Sequence, residues 1–264
     1  MKKKVWLSVV TPFNEDKTLN IFGIKKYIEF LDQYNFEGFL IGGSVGEGLL
    51  LSYHELALYF DIIRSISNKK IIIGAIEFNY PNLEQRLNLD ADYFLVTPPI
   101  YFKPHPLAII EYIKRVASSG KKIILYNNPS RVGVAFNEDI YLQLYEIQNI
   151  VGVKECDDKL ILQGKSKFPR WEWLTGNDPM FDDVDYIDGV ISTLGNITSS
   201  SIAKLDKEKW QKLCAYAYSL PNPIAIKLVF QELGLFQAHF RAAFDPLPEF
   251  KYFEKFILNQ KLIY

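Results

Sequence analysis

Two cysteines, three histidines and a net charge of -1 leave several kinds of chemistry without material. Cys156 and Cys214 are too few for a disulfide framework, and neither they nor His54, His105 and His239 stand at metal-ligand spacing. A reducing compartment and no metal are therefore expected. Lysine and arginine together number 30 against 31 acidic residues, with no basic stripe, so the electrostatic footprint of a nucleic-acid partner is missing. No apolar run reaches the roughly 18 residues of a membrane span. The opening MKKKVWLSVVTPFNED sets basic residues before an apolar stretch, but that stretch ends before Pro12 without a small-residue cleavage site. A cytoplasmic protein beginning on a strand is the simpler reading. No Gly-x-Gly-x-x-Gly follows the first strand and no Gly-Lys-Ser/Thr follows the glycine-rich stretch, so neither a dinucleotide nor a P-loop nucleotide is indicated, and no cofactor is expected.

What is present, over 264 residues that are 48% apolar, is an alternation of two periods. Short β-branched or apolar runs read as strands: VWLSVV from 5, GFLIGG from 38, KIIIGAI from 70, ADYFLV from 91, KKIILY from 121, IVGVKE from 150, WEWLTG from 171 and DGVISTL from 188. Between them the spacing predicts helices over 19–34, 82–88, 106–118, 137–145, 158–167 and 179–185. A further one follows Ser52, which forms a capping box with Glu55. Strands separated by single helices need parallel crossovers, and continuous apolar runs suit strands buried on both faces. Eight such units predict an α/β fold, a (β/α)8 TIM barrel over 1–195. Helices over 207–219, 223–233 and 249–259 predict a C-terminal helical extension over 196–264, packed on the barrel as one structural unit.

Reactive groups of such a barrel belong at the C-terminal ends of its strands. The second strand closes in GGSVGEG, residues 42–48, where four glycines admit close backbone approach and Ser44 adds a hydroxyl. That suits a carboxylate; a tight turn into the next helix is the alternative. Tyr101 lies on the proline-held loop VTPPIYFKP, as a binding edge or a subunit contact. Tyr126 ends the fifth strand, where a phenol can transfer protons, and Arg131 follows on a turn of Asn, Pro and Ser, placed to grip a carboxylate. A buried tyrosine and a surface arginine remain the plainer readings. Lys154 ends the sixth strand, either as a snorkelling side chain or as an amine kept for Schiff-base chemistry with a keto acid. Gly176 and Ile191 end the seventh and eighth and offer backbone groups.

These strand ends resemble the class I aldolase and lyase superfamily typified by dihydrodipicolinate synthase and N-acetylneuraminate lyase. The likeness runs from about Val5 to Leu235 through TPF at 11, GGSVGEG at 42, VTPPIYFKP at 96, YNNPSRVG at 126, GVKE at 152, TGND at 175, GVIS at 189 and NPIAIK at 222. It implies a homotetramer, a dimer of dimers, in which Lys154 forms a Schiff base with pyruvate. Tyr126 would be the general acid and base, its proton relayed by Ser44 and by Tyr101 of a neighbouring subunit. Arg131 and the NPIAIK segment resemble the branch that condenses pyruvate with L-aspartate 4-semialdehyde to 4-hydroxy-tetrahydrodipicolinate, towards lysine and diaminopimelate. Sialic acid lyases and keto-deoxy-sugar acid aldolases of the superfamily usually lack this arginine and form the alternative, with a non-catalytic keto-acid-binding barrel as a third. The sequence departs from the family at Val45, where a hydroxyl residue is usual, so a weaker pyruvate site is expected. It departs again over 74–82, GAIEFNYPN, which does not resemble the lysine-inhibition region, so feedback by lysine is expected to be weak or absent. The chain is also shorter than typical members after Lys154 and at its C-terminus.

Overall fold

The computed structural model describes residues 3–180, 186–198 and 207–244. Strands β1 (Lys4–Ser8), β2 (Gly38–Ile41), β3 (Lys70–Ala75), β4 (Tyr93–Val96), β5 (Ile123–Asn127), β6 (Ile150–Glu155), β7 (Glu172–Thr175) and β8 (Gly189–Ser192) close into a barrel in chain order. Between the strands lie α1 (Ile21–Asp32), α2 (Tyr53–Ile66), α3 (Tyr80–Leu87), α4 (Pro106–Ala117), α5 (Pro129–Val132), α6 (Glu138–Leu144) and α7 (Asp158–Lys167), and α8 (Gly195–Thr198), α9 (Lys207–Ala217) and α10 (Ile224–Glu232) come after the last strand. The predicted (β/α)8 barrel with C-terminal helices is therefore the observed fold. None of the helices is long and apolar enough to cross a membrane, among the described residues.

By its internal packing the chain divides into two compact units, Met1–Lys4 with Lys70–Ile191, and Val5–Lys69 with Ser192–Tyr264. In the first, β3 to β8 pair in parallel, with Tyr126 opposite Lys154 and Glu155 opposite Thr175. Strands such as IILYN are buried throughout, as β-branched runs covered on both faces should be. An aromatic cluster fills the layer behind β6 and β7, with Tyr141 packing on Phe136, Phe168, Trp171 and Trp173.

In the second unit, Asn20 caps α1 and Ser52 caps α2, where the predicted capping box with Glu55 is present. The ring of Tyr27 meets Phe230 and Phe236 edge-on, and its hydroxyl donates to Asn196 Oδ1 at 2.6 Å. Asn196 in turn donates to the Ser8 carbonyl at 2.8 Å, tying α8 to β1.

Element limits differ from expectation where a local bond ends the run. The eighth strand stops at Ser192 because its Oγ accepts the Gly195 N–H at 2.6 Å and turns the chain into α8. Helix α3 starts two residues early, on the side-chain cap of Asn79. Of the helix expected over 179–185, a single 3-10 turn, Asp178–Met180, is described, and residues 181–185 lie outside the described residues, as does the helix expected over 249–259.

Candidate active site

Tyr126 and Lys154 are opposed residues of neighbouring parallel strands, so their side chains leave the sheet on one face. Lys154 is 6% exposed, and its Nζ lies 4.5 Å from the Tyr126 ring centroid, a cation–π distance. Gly176, just past β7, leaves space for this lysine. A Cβ there would stand 3.0 Å from Lys154 Cε and 2.6 Å from Cys156 Sγ. Two of the residues singled out as the reactive pair, and one strand-end glycine, are thus brought together.

Behind the pair lies a buried polar network that reading the sequence missed. Glu155 alternates with Lys154, points to the other face and is fully buried. Its carboxylate accepts from Asn127 Nδ2 at 2.9 and 3.0 Å, from Tyr141 Oη at 2.7 Å, and from the Cys156 and Asp157 N–H groups at 2.8 and 3.0 Å. Asn127 also accepts from the Phe136 N–H and donates to its carbonyl. Burial raises the Glu155 pKa, opposed by these hydrogen bonds, and raises that of Tyr141 well above the ordinary phenol value, with Glu155 adding to the effect. One carboxylate therefore ties the tip of β5, next to Tyr126, to the tip of β6, next to Lys154. A charged residue closing an otherwise apolar strand was the available signal.

The loop after β4 and the turn after β5 adjoin, since Gly133 faces the side chain of Lys103, with a Cβ there 3.2 Å from its Cε. Arg131, on the one-turn helix α5, is exposed. Tyr101 is 79% exposed, packs edge-on against exposed Phe102, and holds φ of 76°, an uncommon conformation for a non-glycine residue. Neither is drawn against Lys154 within the chain. Ile191 is buried in β8.

In the second unit, the glycine-rich segment is a compact reversal. The N–H groups of Gly46 and Gly48 both donate to the Gly43 carbonyl, and a Cβ on Gly48 would lie 1.8 Å from the Gly42 oxygen, so that position admits only glycine. Among the described residues, the N–H groups of Ser44 and Val45 and the Ser44 hydroxyl have no hydrogen-bond partner. Two successive free amides beside a hydroxyl suit an anion. Glu47, left-handed at φ 53°, fixes this reversal from beneath. Its carboxylate meets Lys227 Nζ at 2.6 Å, both side chains being buried, and accepts from the Arg241 and Ala242 N–H groups. Desolvation lowers the Lys227 pKa to about 8 against the opposing pull of Glu47. The sequence signal for this buried pair is a lysine closing the apolar run NPIAIK.

A family model described as the dihydrodipicolinate synthetase family matches residues 1–256. The chain belongs to that family. It is 30% identical over 255 residues to the 4-hydroxy-tetrahydrodipicolinate synthase of Rickettsia canadensis, with 86% of each chain covered. The crystal structure of a dihydrodipicolinate synthase from Bacillus anthracis superposes with a TM-score of 0.89 at 20% identity, covering 97% of both chains. CdNal from Clostridium difficile, solved in complex with mannosamine, superposes with a TM-score of 0.88 at 22% identity, covering 98% of this chain and 99% of that one. At those identities the two structures carry the fold alone. As a member of the dihydrodipicolinate synthetase family the protein is an enzyme, a lyase.

Proposed function

We propose that the enzyme condenses pyruvate with L-aspartate 4-semialdehyde to 4-hydroxy-tetrahydrodipicolinate through a Schiff base on Lys154. The observation that carries this reading is the buried Lys154 beside Tyr126 at two adjoining strand ends. The Lys154 amine attacks the pyruvate C2 carbonyl, and loss of water gives the iminium. Removal of a C3 proton makes the enamine, whose C3 attacks the aldehyde carbon while that oxygen is protonated. The amino group of the acceptor then displaces Lys154 at C2, which closes the ring and frees the enzyme. Tyr126 carries the protons.

The family likeness assigns Ser44 and a neighbouring subunit's Tyr101 to the same relay in a cytoplasmic homotetramer, and the high exposure and left-handed backbone of Tyr101 suit a residue that finds its partner outside its own chain. The free amides of Ser44 and Val45 suit the pyruvate carboxylate, with backbone groups at Gly176 and Ile191 as further contacts, and Arg131 suits the carboxylate of the acceptor. Feedback by lysine is expected to be weak or absent, because the 74–82 segment does not resemble the lysine-inhibition region; inhibition by millimolar lysine would refute this. A coupled assay with pyruvate and aspartate semialdehyde, run against pyruvate and N-acetylmannosamine, tests the assignment. Turnover is expected only with the first pair; turnover only with the second would overturn the choice of acceptor.

A further inference from the structure

Directly after β5 ends at Asn127, the chain carries a second asparagine that the family likeness does not explain. Asn128 occupies the N-cap position of α5, yet its side chain caps nothing. Instead, its Nδ2 donates to Tyr126 Oη at 3.0 Å, and its Oδ1 accepts from Ser130 Oγ at 2.6 Å. The neighbouring Asn127 is committed to Glu155 and Phe136, so the two successive asparagines have separate tasks. The Asn128 carbonyl accepts from the Arg131 and Val132 N–H groups, which anchors its backbone in the turn.

An amide N–H aimed at a phenol oxygen has two consequences. It occupies a lone pair, so the O–H proton must point away from Asn128, and it stabilises the oxygen most when that proton has left. We propose that Asn128 is a positioning residue that orients the Tyr126 hydroxyl and holds its oxygen in place while it takes the C3 proton of the Lys154 adduct and passes it on. This rests on the reading that Lys154 and Tyr126 carry a Schiff-base reaction of pyruvate.

The test is the exchange of the pyruvate methyl protons with deuterated water, followed by NMR without any acceptor, together with borohydride trapping of pyruvate on Lys154. Asn128→Asp keeps the shape and replaces the donor with an acceptor; Asn128→Leu removes both. Each is expected to slow exchange about ten- to hundredfold, the worth of a hydrogen bond to a developing charge, with trapping at saturating pyruvate and the KM for pyruvate held within twofold. In the Tyr126→Phe background, Asn128→Asp is expected to add no further loss, because it acts through the phenol. A folded variant of either kind that exchanges within threefold of wild type, or an additive double variant, would overturn the proposal. Failure of the wild-type protein to trap pyruvate would instead remove the reading beneath it.

Discussion

Substituting Gly176 by alanine puts a methyl group where the structure has Lys154 on one side and Cys156 on the other. The added carbon would meet Cys156 Sγ at 2.6 Å and Lys154 Cε at 3.0 Å, and ordinary contacts begin at 3.4 Å. The thiol must therefore withdraw by about 0.8 Å and the lysine by about 0.4 Å. Overpacking of this kind costs about 1–3 kcal/mol, or roughly 2–12 °C in Tm for a chain of this size. Displacement of a reacting atom by about 1 Å costs on the order of a hundredfold in rate, so the smaller shift at Lys154 is expected to cost about tenfold in kcat/KM. Thermal melting and steady-state assays of Gly176→Ala, Cys156→Ala and the double variant separate the two contacts. Cys156→Ala alone leaves activity within about twofold. The double variant regains most of the lost Tm, because the sulfur is the nearer clash, while part of the activity loss persists through Lys154. Wild-type Tm and kcat in Gly176→Ala would refute the claim that this glycine makes room for the lysine.

Glu155 has its folded-state pKa raised by burial, so its ionised form costs stability, a cost absent below the ordinary carboxylate value of 4.5 and developing as pH rises through the folded value. Denaturant titrations are expected to show wild type losing stability relative to Glu155→Gln as pH rises above 4.5; a constant difference would contradict the assignment. Lys227 has its pKa lowered to about 8, so its buried charge costs stability below that value, and the cost is relieved as pH rises towards 10.5. Wild type should therefore gain stability relative to Lys227→Met from about pH 8 to pH 10, and a flat difference would show the charge to be better compensated than Glu47 and desolvation allow. Val45→Thr restores a hydroxyl beside two free amides; a fall of about tenfold in the KM for pyruvate is expected, the lower end of what a hydrogen bond to a charge contributes.

The strands were legible wherever an apolar run had clear ends. Strand β6, Ile150–Glu155, and helix α7, Asp158–Lys167, fall where the sequence places them, the helix because Asp157 caps the Lys159 and Leu160 N–H groups. Lys154 and Tyr126 were legible because each ends such a run. Their supports were not. Glu155 meets Asn127 across 28 residues and Lys227 meets Glu47 across 180, and no local period encodes a pairing made only when the chain closes on itself. The turn 129–132 hid its helix because Pro129 serves a helix start as readily as a bend, and its conformation is what lets Asn128 reach back to Tyr126. Tyr101 lies exposed on its loop, where its proline-held sequence placed it, with Phe102 edge-on beside it.

The Schiff base on Lys154 is covalent, and reductive trapping detects it directly. The protein is incubated with pyruvate, reduced with borohydride, digested and mapped by mass spectrometry. A stable 1-carboxyethyl group is expected on the amine of Lys154, absent without pyruvate and absent from Lys154→Arg. An unmodified protein, or an adduct confined to another lysine, would contradict it.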